Sequence, residues 1–497
     1  MEANLSRSLP VIKALVQRSN RSISQESAKS SSIHLSAKKA HVQFQKPLFF
    51  LKTRTSSHSS FRVASLFSGM QKRTFSSQIR APLQGKEFFN RNREISALTK
   101  LLESKPQISL VSGPVNSGKT SLMLKILEDI SKKNNRPVLH LDLRARGFHT
   151  VEGFSSSLEE GMTSWANRIF KAIPKQLTAE YEGLKLEASN PSLATQPIDK
   201  LNRLFDSLSK NLPSHNVWSG AQVPILFIDE ANEMRTLLKD DQGHQALQDM
   251  FKWFVMNTKQ NHRFHVILGS SDSFFHLWVE KFVGASRFQS YVIGDLPKAE
   301  AERFWQERII KQLEWRREDL PPPDFQDAYG VCGGNMFFLE NYHSEYIEMR
   351  GEMAPENFSF IGAEKTQLRN ALSRSADEKS NLLTALYSNL MDRIYETNGK
   401  SISHPDRLDS IWTQVQLVTV MKKLTGSKSG FLIYDDLCKE IGKEVIDAMI
   451  DHNLLHLRPT KRFSYDLPDS PYDEPIVTAE TPASLVAMRH ILKNLDA

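Results

Sequence analysis

The chain has 497 residues, 40% hydrophobic and 24% charged, which fits a folded protein of two to three domains at roughly 100–200 residues each. No apolar run approaches the ~20 residues of a membrane span, and two cysteines, Cys332 and Cys438, exclude a disulfide framework or a cysteine zinc site. The net charge of +7 is confined to the start: residues 1–80 hold 14 Lys and Arg against only Glu2 and Glu26, and the remainder carries 50 basic and 55 acidic residues, so bulk charge gives the folded part no case for binding nucleic acid.

Residues 1–80 read as an address. They are rich in Ser and basic residues, and Leu5, Leu9, Ile12, Leu15 and Val16 fit one face of a short basic helix, the composition of an organellar transit peptide. Arg73-Thr-Phe-Ser-Ser77 resembles a mitochondrial presequence cleavage pattern. The mitochondrial matrix is the expected location. A plastid is the alternative, and a disordered basic tail is the plain reading.

A helix is expected after Asn92, with Ile95, Leu98, Leu101 and Leu102 on one face. Arg91 and Arg93 taken alone read as a solvated helix start. The apolar run Ile108–Ser112 is long enough for one buried strand, and Ser121–Lys132 has apolar residues at helical spacing. Between them lies Gly113, Pro114, Val115, Asn116, Ser117, Gly118, Lys119, Thr120, or G-x-x-x-x-G-K-T, the loop that cradles a triphosphate at a helix N-terminus. Its glycines permit the backbone angles, and with Ser121 these residues are the expected contacts to the nucleotide triphosphate. Lys119 supplies charge to the β- and γ-phosphates, and the Thr120 hydroxyl is a ligand for Mg²⁺.

A second strand is expected at Val138–Leu143, then long helices over 148–222 as an insertion or elaborated helical layer, broken by a Pro/Ser/Thr loop at about 190–197. Pro224-Ile-Leu-Phe-Ile228-Asp229-Glu230 reads as a strand buried on both faces. Asp229 at its carboxyl end is placed to hold Mg²⁺, and Glu230 to polarise the attacking water. An amphipathic helix over 242–260 precedes another buried strand, Phe264–Leu268, which ends in Gly-Ser-Ser-Asp272.

The pattern Phe88-x-Asn90-Arg91-x-x-Glu94-Ile95-x-x-Leu98, followed by the glycine loop, resembles the start of the archaeal-type ATPase family within the STAND and AAA+ group. The resemblance implies an α/β P-loop NTPase fold with a parallel five-stranded sheet in the order 5-1-4-3-2, a helical lid and a winged-helix-like C-terminal domain. It implies boundaries at 81–296, 297–374 and 375–497, and a segment near the adenine at residues 88–94. It implies a polar sensor at Ser270 or Ser271, with Asp272 less suited, and an arginine finger or sensor at Arg287. The plain readings stand beside these: a helix cap for the serines, a surface residue for Arg287. Gly333-Gly334-Asn335-Met336 resembles the lid motif G-G-N-P, with Met336 where the family has Pro.

Toward the end, Phe431–Leu437, Lys443–His452, Leu454–Leu457 and Arg462–Tyr465 suggest helix, helix and a two-stranded wing. Glu444, Asp447 and Asp451 on the second helix would repel phosphate, so protein contact or self-association is favoured over DNA, with Lys461 and Arg462 as the opposing signal. The expected activity is Mg²⁺-dependent ATP hydrolysis coupled to conformational change. A nucleotide-switched scaffold and a DNA-binding initiator or repair ATPase are the alternatives.

Overall fold

The computed structural model describes residues 88–495, apart from 145–147, 173–195, 214–222, 240, 312–319, 374–410 and 473. The basic leader over residues 1–80, its cleavage pattern and most of the loop at 190–197 lie outside the described residues.

Five strands form one parallel sheet: β1 (Ile108–Ser112), β2 (Val138–Asp142), β3 (Ile225–Asp229), β4 (His265–Gly269) and β5 (Phe288–Val292). Their order is β2-β3-β4-β1-β5, the expected order read from the other edge. Ile108 is in register with Val266 on one side and Phe288 on the other, and Val138 with Ile225. Every residue of β1, β3 and β4 is buried, as their unbroken apolar sequences require of strands covered on both faces.

Alternation along the strands divides two cores. Leu110, Leu226, Ile228, Val266 and Leu268 pack with α3 (Val151–Ala172), α4 (Pro197–Asn211), α5 (Asp241–Val255) and α6 (Phe275–Val283). Val111, Phe227 and Ile267 turn the other way, onto α1 (Asn92–Leu102) and α2 (Lys119–Asn134). The long segment after β2 packs, over its described part, as a helical layer on the sheet: α3 and α4 pack on each other, and Trp165 of α3 donates its indole N–H to Pro137 O at 3.3 Å beside the start of β2.

After β5 the chain is helical: α7 (Lys298–Phe304), α8 (Phe325–Cys332), α9 (Met336–Glu348), α10 (Ser359–Ser373) and α11 (Gln414–Gly426). Then come β6 (Leu432–Ile433), α12 (Tyr434–Ile441), α13 (Lys443–Asp451), β7 (Leu455–Arg458), β8 (Ile476–Ala479) and α14 (Pro482–Leu495). The small strands form an antiparallel sheet in the order β6-β8-β7. One apolar cluster runs from Leu296 through Trp305, Leu339 and Leu417 to Leu492. The lid helices and the C-terminal segment thus share a core. The helix α14, which sequence analysis did not single out, joins them by packing on α8, α10 and α11 through Ala487, Met488 and Ile491.

One expected strand is corrected. Arg462–Tyr465 does not pair with β7; β8 does, with Leu455 opposite Ala479. The connection between β7 and β8 is instead drawn onto the large sheet. Val292 N donates to Arg462 O at 2.8 Å, and Phe463 stacks on Tyr291 at 5.1 Å. Arg458 and Asp466, both largely buried, close this connection with two hydrogen bonds of 2.8 Å. Gly294 lies beneath them, where a Cβ would meet Asp466 Oδ1 at 2.0 Å.

Removing one partner of a buried ion pair leaves the other charge uncompensated and costs about 3 kcal/mol. Arg458→Gln is therefore expected to destabilise by about that amount in denaturant unfolding. Lys428→Ala, at an exposed turn, is expected to stay within about 0.5 kcal/mol of the parent.

Candidate functional site: a phosphate loop and its carboxylates

The glycine loop leaves β1 at the carboxyl edge of the sheet and enters α2. Gly113 has φ 149°, and a Cβ there would lie 2.3 Å from Ile293 O, so no side chain fits. Asn116 and Gly118 take left-handed φ values of 62° and 87°. That curl turns the loop amides inward toward the helix N-terminus, the arrangement that binds phosphate. Pro114 is buried, Val115 is exposed, and Ser121 lies in the first turn of α2.

Beneath the loop lies Arg91. It is 2% exposed, and its guanidinium donates to Ser117 O at 3.0 Å and Gly294 O at 2.8 Å while pairing with Glu94 at 3.0 Å. The solvated helix start read from the sequence holds only for Arg93, which is exposed and pairs with Glu300 at 3.3 Å. Arg91 fixes the loop to the turn after β5. Its sequence signal was Glu94 three residues on, one helical turn away.

Lys119 folds back over the loop, donating to Gly113 O at 2.9 Å and Pro114 O at 2.8 Å. Burial pushes its pKa down to about 8, with Glu230 and Asp229 acting in the opposite direction. The buried Ser117 hydroxyl has no hydrogen-bond partner among the described residues. A charged lysine resting on carbonyls, an unpaired hydroxyl and a glycine cradle together fit a polyanionic ligand.

Thr120 Oγ1 donates to Asp229, with contacts of 3.1 and 3.0 Å to its two carboxylate oxygens. Burial raises the Asp229 pKa, and the Thr120 hydroxyl and Arg144 pull it back. One hydroxyl and one carboxylate suit a hard cation that takes its remaining ligands from water and phosphate, as Mg²⁺ does. Among the described residues there is no cluster of three or more His, Cys, Asp or Glu side chains arranged to hold a metal alone.

Glu230 follows Asp229 with φ 49°, and its carboxylate accepts from Ser271 Oγ at 3.1 Å. Ser270 points elsewhere: it donates to Asn232 Oδ1 at 3.0 Å and accepts from Asp272 N at 3.1 Å. Of the two serines, Ser271 is the one in contact with Glu230. Asp272 is engaged by Arg235.

Arg287 lies at the far edge of the sheet. It precedes Phe288, which pairs with Ile108 at the start of β1, whereas the loop follows Ser112, which pairs with Val292. Four residues of strand, about 13 Å, separate the two edges. The exposed Arg287 therefore lies at the sheet edge opposite the phosphate loop of its own chain.

The lid motif does approach the loop. Asn335 caps α9 by accepting from Phe338 N at 3.2 Å and donates to the buried Asp295 at 3.0 Å. The Met336 methyl lies 3.8 Å from where a Cβ on Gly118 would stand. Beside the loop a cleft of about 540 Å³ opens between Asn116, Ser271, Glu364, Asp451 and Glu480. Burial, reinforced by Glu364, raises the Glu480 pKa to about 7, and Lys119 opposes this. Glu480, Arg144 and Ser271's contact with Glu230 were not anticipated. Arg144 had one signal, its place just beyond a strand at the carboxyl edge of a parallel sheet, where such folds bind ligands.

The sign of the pH dependence follows from Lys119. Its pKa of about 8 lies below the usual 10.5, so the charge is complete at pH 6.5 and lost as pH rises through 8. Affinity for a fluorescent ATP analogue is expected to be flat to about pH 7.5 and to fall by up to tenfold per unit above 8. At pH 8.5 calorimetry in two buffers should show proton uptake on binding.

Residues 88–341, about half of the chain, match a family described as an ATPase domain predominantly from Archaea. An ATP-binding protein of Methanocaldococcus jannaschii is 30% identical over 279 residues, 51% of this chain and 70% of that one. A second from the same organism is 29% identical over 239 residues, 47% of this chain and 62% of its own length, so the match leaves more than a third of that relative uncovered. A solved Walker-type ATPase of Pyrococcus abyssi aligns over 83% of this chain and 99% of its own, at 15% identity and a TM-score of 0.45. By the extent of the family match, and with the loop and the Asp229–Glu230 pair in place, the chain belongs to the archaeal-type ATPase domain family.

Proposed function

We propose that this protein binds Mg²⁺-ATP and hydrolyses it, using the nucleotide state to move its lid and C-terminal helices. The observation that carries the reading is the convergence of Lys119, Thr120, Asp229 and Glu230 on one sheet edge, with Thr120 already hydrogen-bonded to Asp229. In this reading the loop amides and Lys119 bind the β- and γ-phosphates, and Thr120 and Asp229 hold the metal. When bound, Mg²⁺ supplies charge neutralisation on the phosphate oxygens. Glu230, held by Ser271, orients a water and takes its proton as the water oxygen bonds to the γ-phosphorus and the bond to the β-phosphate oxygen breaks. Arg287 could serve only the site of a second copy.

The C-terminal run α11, β6, α12, α13, β7, β8 has the order of a winged helix, and we read it as a protein-contact module. Five of nine α13 residues are buried, and Ile450 and Asp451 face the cleft beside the loop. The opposing cations are engaged within the chain: Lys461 lies over Tyr472 at 5.0 Å and Arg462 over Tyr291 at 5.7 Å. This disfavours DNA as the partner. A switch with little turnover is the second reading, in which the cleft beside the loop, lined by Asn116, Glu364 and Glu480, transmits the nucleotide state. Mitochondrial location, with a plastid as alternative, rests on the basic, Ser-rich first 80 residues.

Phosphate release from the purified chain with Mg²⁺-ATP tests the proposal. Glu230→Gln is expected to lose at least about 100-fold in kcat while still binding ATP, and Lys119→Ala to lose binding. Tight ATP binding with no turnover in the parent would replace hydrolysis with the switch reading.

A further inference from the structure

Positive charge at the γ-phosphoryl group besides Lys119 accelerates hydrolysis, and Arg287 lies at the opposite edge of the sheet. The register of the sheet supplies another. Asp142 at the end of β2 is the partner of Asp229 at the end of β3, and Leu143 N donates to Asp229 O at 3.1 Å. Arg144 is thereby delivered to the carboxyl edge, next to Asp229 and Glu230.

Its fork is asymmetrically used. Nε and Nη2 grip the two oxygens of Asp142 at 2.8 Å each. Nη2 is a looser 3.4 Å from Asp229 Oδ2, and Nη1 stands 4.0 Å from Glu230 Oε1. The side chain is 53% exposed, and the hydrogen bonds to Asp142 keep it protonated. A plain counterion for the Asp229–Glu230 pair would turn its two-pronged edge onto that pair. Here that edge is spent on Asp142, and the remaining nitrogen faces Glu230 across a gap. Among the described residues, Arg91 is committed to the loop carbonyls, Arg235 to Asp272 and Arg458 to Asp466.

We propose that Arg144 is a catalytic arginine acting in cis: Asp142 anchors it, and Nη1 serves both the Glu230 carboxylate and the γ-phosphoryl oxygens of bound ATP. Charge there favours the transferring phosphoryl group over the ground state, so it acts on kcat more than on binding. Asp142 is a positioning residue. A lysine would restore charge but not the fork that grips Asp142 while leaving Nη1 forward.

The inference rests on the hydrolytic reading, so its test carries a readout independent of turnover: affinity for ADP with aluminium fluoride, which mimics the transferring group. Arg144→Ala is expected to lose roughly 100-fold in kcat with KM within about threefold, and to lose ADP–aluminium fluoride affinity while ATP affinity is kept. Arg144→Lys should recover less than about a tenth of the loss, Asp142→Asn should fall between, and guanidinium ion at about 20 mM should partly rescue Arg144→Ala. Unchanged kcat and unchanged ADP–aluminium fluoride binding in a folded Arg144→Ala would overturn the proposal. So would faster turnover, which would make Arg144 a restraint on Glu230. A parent that binds ATP without hydrolysing it defeats the hydrolytic reading, and the fluoride-complex comparison still decides Arg144.

Discussion

Parallel pairing of the five strands is the constraint from which the site follows. In a parallel sheet every carboxyl end points to the same edge, so segments distant in the chain meet there without further design. The loop follows β1, Arg144 follows β2, Asp229 and Glu230 end β3, and Ser271 follows β4. With β1 beside β4 and β4 beside β3, the Thr120 hydroxyl at the start of α2 is brought to Asp229 across β4. The same rule puts Arg287, just before β5, out of reach at the opposite edge.

The edge is dense in buried charge. Lys119, Asp229, Arg91 and Glu94 are each nearly inaccessible, yet each has a partner: loop carbonyls, a threonine hydroxyl, or an opposite charge. Burial alone favours the neutral forms of Lys119 and Asp229, and both shift that way. Their charged forms are therefore held at a cost that a phosphate–metal ligand would relieve. The same burial suits the site to a ligand carrying both signs of charge.

The C-terminal segment is coupled to the ATPase sheet through backbone as well as side chains. Val292 donates to Arg462 O, the Ser273 hydroxyl and His456 Nδ1 lie 2.9 Å apart, and Leu457 N donates to Ser273 Oγ at 3.2 Å. Ser273 lies two residues beyond Ser271, which touches Glu230. Two hydrogen-bonded joints and the two peptide bonds from Ser271 to Ser273 thus link the carboxylate pair to β7. Burial, together with Arg458 and Lys119, holds His456 well below the usual imidazole range, so this joint is neutral and carries no charge of its own to release.

The glycine loop and the strand ending in Asp229 and Glu230 were legible in the sequence because each is local, and the sheet order came from the resemblance those local motifs carry. A positive φ at Gly113 and Gly118, an apolar run, and a carboxylate at its end are written in consecutive residues. What only the tertiary structure decided is pairing between distant segments. It turned Arg91 from a surface residue into the pin of the loop, because Gly294 and Ser117 close over it. It chose Ser271 over Ser270, since neighbours on a chain point to different sides. It took Arg462–Tyr465 out of the small sheet, because stacking on Tyr291 and docking on β5 bury Phe463 better than an exposed hairpin edge would. It also replaced Arg287 with Arg144 as the arginine beside the site, a matter of which end of a strand each one adjoins.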